Sequence, residues 1–267
     1  MGRKYCKGIL FVLICIFCTV PQALFAAEKE KEYDFNKHSR ITITKEESYA
    51  VSGKYTWLKY VPSEDGCLVV QMSTPEGSVE DATGYIALFN SSKSSILSSK
   101  AIFYNTTHQN NPFWYEFTFG LRKGQTYYIR IRGDNGVIVS GTFKKINDTS
   151  GSLKTKAKVI KKNKTKTGLI PASSSETDWY KIKLPKQKKL HIYYQAKTSG
   201  SFKMTIYQGK NLIGTRNIYY TSGEKKITLY QYSTTTKKKS GLKKGNYFVT
   251  IQRTNSASSG YYKIKWN

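Results

Sequence analysis

The chain has 267 residues, 44 Lys+Arg against 17 Asp+Glu, and a formal net charge of +27. Only 39% of residues are hydrophobic, but 21 Tyr, 12 Phe and 4 Trp supply core-forming side chains, which argues against wholesale disorder. Four cysteines in this length exclude a disulfide-built scaffold.

Residues 1–27 read as a signal peptide. Arg3, Lys4 and Lys7 precede an apolar run from Ile9 to Val20, then Pro21 and a small-residue exit at Ala26-Ala27. At about 12 residues the run is shorter than the roughly 20 a membrane span needs. Cys15 and Cys18 follow Ile14 and Phe17, which does not fit lipid attachment. Removal of the leader takes Cys6, Cys15 and Cys18 with it and leaves Cys67, which reads as a small buried hydrophobe in Gly66-Cys67-Leu68-Val69-Val70. The expected location is extracellular, at or near a cell surface.

The rest of the chain repeats at about 120 residues. Gly120-Leu121-Arg122-Lys123-Gly124 recurs as Gly241-Leu242-Lys243-Lys244-Gly245, and Trp57-Leu58-Lys59-Tyr60 as Trp179-Tyr180-Lys181-Ile182. Ser140-Gly141-Thr142-Phe143-Lys144 is read as recurring in Ser259-Gly260-Tyr261-Tyr262-Lys263. Within each copy, short runs of alternating apolar and polar residues are separated by turn signals such as Glu64-Asp65-Gly66, Thr198-Ser199-Gly200 and Ser222-Gly223. No long helical period appears. The expectation is an all-β protein: two tandem antiparallel β-sandwich, jelly-roll-like domains at 28–149 and 150–267, of about seven or eight strands each.

The second copy resembles the bacterial pre-peptidase C-terminal domain family. The resemblance rests on Ala157-x-x-Ile160, Gly168-Leu169-Ile170, Asp178-Trp179-Tyr180-Lys181-Ile182-x-Leu184, Lys203-Met204-Thr205-Ile206-Tyr207, Leu242-x-x-Gly245-x-Tyr247-x-Val249-x-Ile251 and Gly260-x-Tyr262-x-Ile264. The first copy matches more loosely and lacks the aspartate before Trp57. The resemblance implies non-catalytic sandwiches, some of them similar to carbohydrate- or protein-binding modules and some binding calcium.

Little in the residues points to catalysis. His38, His108 and His191 are scattered and form no zinc spacing. No Gly-x-Ser-x-Gly elbow occurs, and copy 2 has only Glu176, Asp178 and Glu224 as acids. We therefore expect no enzyme and no obligatory cofactor. Glu76, Glu80, Asp81 and Asp134 are the acidic-loop candidates for calcium, which needs six to eight oxygens.

Charge is divided unevenly. Residues 28–150 carry 15 basic and 14 acidic side chains; residues 151–267 carry 26 and 3. The field of copy 2 attracts polyanions, and Lys154, Lys156, Lys158, Lys161, Lys162, Lys186, Lys188, Lys189, Lys237, Lys238 and Lys239 are the candidate contacts. The partner class is an anionic cell-wall polymer, a glycan or another surface polyanion, or another extracellular protein. The alternative is a module that reads neutral sugars through aromatics, or an accessory domain of a secreted enzyme system. Trp114, Tyr219, Tyr230 and Tyr232 are the stacking candidates. Of adjacent tyrosines such as Tyr219-Tyr220, one is expected in the core, because neighbours in a strand face opposite ways. Trp57 and Trp179, at equivalent positions, are expected in the core; Trp114 and Trp266 are the better candidates for exposure.

Overall fold

The computed structural model describes residues 31–44, 55–73, 82–104, 114–133, 136–232 and 235–267. The leader expected at 1–27 lies outside the described residues, as do Glu76, Glu80, Asp81, Asp134 and the side chain of Trp114. Apart from one 3₁₀ turn at Lys154–Lys156, the described regular structure is all strand.

The first set of strands is β1 (Glu32–Asp34), β2 (Arg40–Ile43), β3 (Thr56–Tyr60), β4 (Gly66–Ser73), β5 (Ala82–Phe89), β6 (Ser95–Tyr104), β7 (Trp114–Leu121), β8 (Tyr127–Gly133) and β9 (Val137–Lys145). They form two sheets, in the orders β1-β3-β8-β5-β6 and β2-β9-β4-β7. The second set is β10 (Lys158–Val159), β11 (Lys166–Ile170), β12 (Thr177–Leu184), β13 (Leu190–Ser199), β14 (Phe202–Gln208), β15 (Asn211–Ile218), β16 (Lys225–Leu229), β17 (Gln231–Tyr232), β18 (Lys239–Ser240), β19 (Gly245–Arg253) and β20 (Ser259–Trp266). Its sheets run β10-β12-β19-β14-β15 and β11-β20-β13-β16, with β17 and β18 as a separate hairpin. Strand for strand the two orders coincide, including the parallel pairing of the first strand with the third. The chain is two tandem β-sandwiches of one topology.

The alternating pattern of each strand explains the layers. Along β13, Leu190, Ile192, Tyr194, Ala196 and Thr198 are buried while the residues between them are half-buried, as a period of two requires when one sheet face meets a core. Leu58, Leu68, Val70, Met72, Leu121 and Ile129 centre the first core; Tyr180, Ile192, Phe202, Tyr247, Val249 and Tyr262 centre the second. Burying each large side chain contributes roughly 1.5–3 kcal/mol.

Ladder register tests the repeat residue by residue. Trp57 lies opposite Arg130 and Trp179 opposite Thr250, which matches the sequence alignment of the two copies. Gly66 lies opposite Leu121 and Lys188 opposite Leu242, also in agreement. The third motif is not equivalent. Val70 opposes Gly141, while its counterpart Ile192 opposes Trp266, so the counterpart of Tyr262 is Val137 and not Phe143. A Ser-Gly-aromatic-Lys string is common enough in β-strands to recur out of register.

The tryptophans also differ from expectation. Trp57 is buried, but on the outer face of its sheet, against Ala87 and Phe89 and beneath Lys93, whose Nζ lies 4.6 Å from the ring centre. Its neighbour Leu58 takes the core position. Trp179 is half-buried on the corresponding outer face. Trp266 is not exposed: it closes the second core, and its indole N–H donates to the Ile160 carbonyl at 2.7 Å.

The two sandwiches meet along β7, whose free edge would otherwise offer unpaired backbone groups. Thr118 N–H donates to Ser199 Oγ at 3.0 Å and Gly120 N–H to Ser259 Oγ at 2.7 Å, while the Gly120 carbonyl accepts from Ala172 N–H at 2.8 Å. Cys67 and Ile146 pack against Leu169 and Tyr261 from the other side of the junction. Arg122 spans the seam, bonding Asp65 at 3.1 Å and also Glu176; being partly exposed, such pairs contribute about 0–1 kcal/mol.

Candidate polyanion-binding pole

Strand direction in the second sandwich decides where its lysines go. The C-terminal ends of β12, β14, β16 and β20 and the N-terminal ends of β11, β13, β15 and β19 lie at the end remote from the junction, as their registers show. Four loops therefore share that pole. They carry Lys161, Lys162, Lys164 and Lys166; Lys186, Lys188 and Lys189; Lys210; and Lys237, Lys238, Lys239, Lys243 and Lys244. No Asp or Glu occurs in any of these loops. Glu176 sits at the junction against Arg122, Asp178 is buried, and Glu224 pairs with Lys265 at 2.8 Å.

The loops are tied to one another. Lys188 and Leu242 exchange backbone hydrogen bonds at 3.1 and 2.9 Å, and Gln187 Nε2 donates to the Gly241 carbonyl at 3.3 Å. A Cβ on Gly241 would meet the Lys188 backbone at 2.6 Å, so only glycine permits this approach. Asn163 N–H donates to the Trp266 carbonyl at 2.7 Å, and Lys188 Nζ lies 5.9 Å from the Trp266 ring centre.

One part of the pole is an insertion. Phe119 and Leu121 oppose Leu68 and Gly66 in the first sandwich; Leu229 and Leu242 oppose Leu190 and Lys188 in the second. Eleven additional residues between Leu229 and Leu242 form the β17–β18 hairpin. It holds Tyr230 and Tyr232, both exposed, and Lys237–Lys239, with Lys239 Nζ 4.7 Å from the Tyr230 ring centre. Lys237 takes φ 51°, a left-handed conformation at the turn.

Of the candidate lysines, Lys161, Lys162, Lys186, Lys188, Lys189, Lys237, Lys238 and Lys239 come together at this pole. Lys154 joins them through the Lys210 loop: its Nζ bonds the Gly209 carbonyl at 3.1 Å and lies 5.0 Å from the Phe248 ring centre. Lys156 and Lys158 do not; they lie on the 3₁₀ turn and on β10 beside β12. Lys164, Lys166, Lys243 and Lys244 lie in the same sequence clusters and reach the pole with them; Lys210, isolated in sequence, is the neighbour that spacing did not reveal. His191 registers the local field: its pKa is lowered by burial and by the positive charges of Lys226, Lys188 and Lys189.

Tyr219 and Tyr220 are both exposed, at 61% and 48%, contrary to the expectation that one would be core. The pair follows the end of β15 at Ile218, where strand alternation no longer applies. Among the described residues no group of three or more His, Cys, Asp or Glu could hold a metal ion, and no helix is long and apolar enough to cross a membrane.

No family model and no curated protein matches the chain. Among solved structures, the pre-peptidase C-terminal domain of a collagenase from Bacillus anthracis is 16% identical, covering 42% of this chain and 94% of its own, with a TM-score of 0.29. The N-terminal CBM22-1–CBM22-2 tandem domain of Xyn10C from Paenibacillus barcinonensis is 8% identical, covering 78% and 80%, with a TM-score of 0.28. A turret protein of Sulfolobus turreted icosahedral virus is 9% identical, covering 85% and 95%, with a TM-score of 0.19. Likenesses at these scores say nothing of ligand or activity.

Proposed function

We propose that this protein is a secreted, non-catalytic binding module that attaches to an anionic surface polymer through the lysine pole of its second sandwich. The division into working units falls at residues 149–150, with the first sandwich nearly neutral and the second carrying the field. The observation that supports the reading is the collection of thirteen lysines in loops at one pole with no acidic residue among them. A random scatter of basic side chains would blunt sheet edges and aid solubility; segregation to one end creates a directional field that steers and holds a polyanion.

Polyphosphate and isolated cell walls test this. Retention on both is expected at about 50 mM salt and is expected to fall steeply by about 200 mM, because bound counterions are released on contact. Replacing Lys237, Lys238 and Lys239 by Gln should lower affinity at least tenfold and flatten the salt dependence. Salt-independent retention, or full retention by the triple variant, would sink the reading.

A further inference from the structure

β6 and β7 are edge strands of the two sheets of the first sandwich, and β15 and β16 are edge strands of those of the second. Near the junction, cavities beside these strands share two tyrosines. A cavity of about 500 Å³ opens beside Ile86, Leu88, Phe117 and Phe119 of the first sandwich, with Tyr115 and Glu116 at its rim. A second of about 710 Å³ lies on the flank of the second sandwich, bordered by Thr215, Arg216, Asn217 and Lys225. Tyr219 and Tyr220 line both.

Tyr220 is held in place, and the backbone beside the pair is anchored. Thr221 next to them donates its N–H to the Ala196 carbonyl at 2.9 Å and accepts from Ala196 N–H on Oγ1 at 3.0 Å. Lys197 Nζ bonds the Tyr220 hydroxyl and lies 4.2 Å from its ring centre. Exposed aromatic faces fixed before a ligand arrives cost little ordering entropy on binding.

We infer that this groove is a second binding site, for a strand of acidic polysaccharide. Pyranose rings would lie on Tyr219, Tyr220 and Tyr115, and a sugar carboxylate would meet Arg216 and Lys225, a guanidinium being suited to two-pronged carboxylate contact. Glu116 at the rim accepts hydrogen bonds from the free hydroxyls of a uronate strand, which a DNA strand does not offer. The site is separate from the lysine pole, which lies at the opposite end of the second sandwich.

The probe is a hexamer of α-1,4-linked galacturonate, measured by calorimetry against the intact chain, with polyphosphate as the probe of the pole. Tyr219→Ala combined with Tyr220→Ala should weaken hexamer binding at least tenfold and leave polyphosphate binding unchanged. Arg216→Gln should weaken it several-fold, and the neutral galactose hexamer should bind at least tenfold more weakly than the uronate. Replacing Lys237–Lys239 by Gln should leave hexamer affinity within twofold, so loss of the pole and loss of the groove are told apart. The inference is overturned if the wild-type chain does not bind the hexamer, if the double tyrosine variant or Arg216→Gln binds it normally, if the pole variant alone loses it, or if single-stranded DNA displaces it from the groove. Tyr219 and Arg216 are exposed, so their replacement tests binding without testing the fold.

Discussion

Tyr262 lies directly across the ladder from Gly168, and a Cβ on Gly168 would stand 2.2 Å from the tyrosine oxygen. The first sandwich solves the same site the other way round: Ile43 lies opposite Val137, and both are fully buried. One pair joins glycine to a large aromatic, the other joins two aliphatics of middle size. Close-packed interiors conserve local volume in this manner. Gly168→Ala should therefore destabilise the chain by about 1–3 kcal/mol in urea denaturation. Gly168→Ile together with Tyr262→Val should cost less than the sum of the two single changes. Simple additivity would show that the two positions do not share space.

The Tyr262 hydroxyl also donates to Asp178 Oδ2 at 2.5 Å, while Ser150 Oγ donates to Asp178 Oδ1 at 2.9 Å. With the one Tyr262 proton so committed, Tyr180, 2.9 Å away, donates to the Tyr262 oxygen. Burial, then the charge of Asp148, push the Asp178 carboxyl up to about 7 from 3.8, against the lowering effect of these two hydrogen bonds. A raised folded-state value means that the native state binds the proton more tightly than the unfolded chain. The resulting stabilisation is fully present below about pH 4 and is lost as pH rises through about 7. At about 1.4 kcal/mol per unit, the change across that window is on the order of 2–4 kcal/mol. Asp178→Asn should flatten the dependence of Tm on pH between 4 and 8 and should be the more stable protein at pH 8. A mutant curve parallel to wild type would refute the assignment.

Gly120 governs the seam. Its hypothetical Cβ would meet the Ile170 carbonyl at 2.5 Å and the Gly260 backbone at 3.1 Å. Gly120→Ala should push the sandwiches apart and weaken the hydrogen bonds from Thr118 and Gly120 to Ser199 and Ser259. Cys67 provides the readout, because it is fully buried at this junction and burial pushes its thiol pKa far up. Native wild type should resist alkylation, and Gly120→Ala should label at least tenfold faster without unfolding. Equal labelling rates would mean that the seam does not depend on this close approach.

The inserted hairpin should be separable from the fold. Cutting out its eleven residues so that Leu229 and Leu242 stand two apart reproduces the first sandwich's spacing of Phe119 and Leu121. Tyr230, Tyr232 and the Lys237–Lys239 run are exposed and contribute nothing to the core. Tm should shift by only a few degrees, equivalent to about 1 kcal/mol or less. Polyphosphate affinity should fall with the loss of three lysines. Failure to fold would show that the hairpin is structural.

Much of the architecture was legible in residues alone. The period of two in Leu190–Ser199 and Tyr247–Gln252, and the recurrence of Trp57-Leu58-Lys59 as Trp179-Tyr180-Lys181, announce two sandwiches, because a sheet with one face on a core can be written in few other ways. The uneven charge of the two copies is likewise a matter of composition. What string comparison missed was register. Gly141 resembles Gly260 in context, yet stands where Trp266 does, since only hydrogen-bonded neighbours determine which residues share a place in a sheet.

The tertiary structure alone decided where the charge acts and where the aromatics point. Lysines separated by up to some eighty positions reach one pole because antiparallel strands return alternate loops to the same end. Tyr219 and Tyr220 gain their exposure by lying just past a strand end, and Trp266 loses it by closing a core, although nothing in their immediate sequence separates these fates. Composition determines how much charge and aromatic surface the second sandwich has; chain reversal and packing determine which of it faces a ligand.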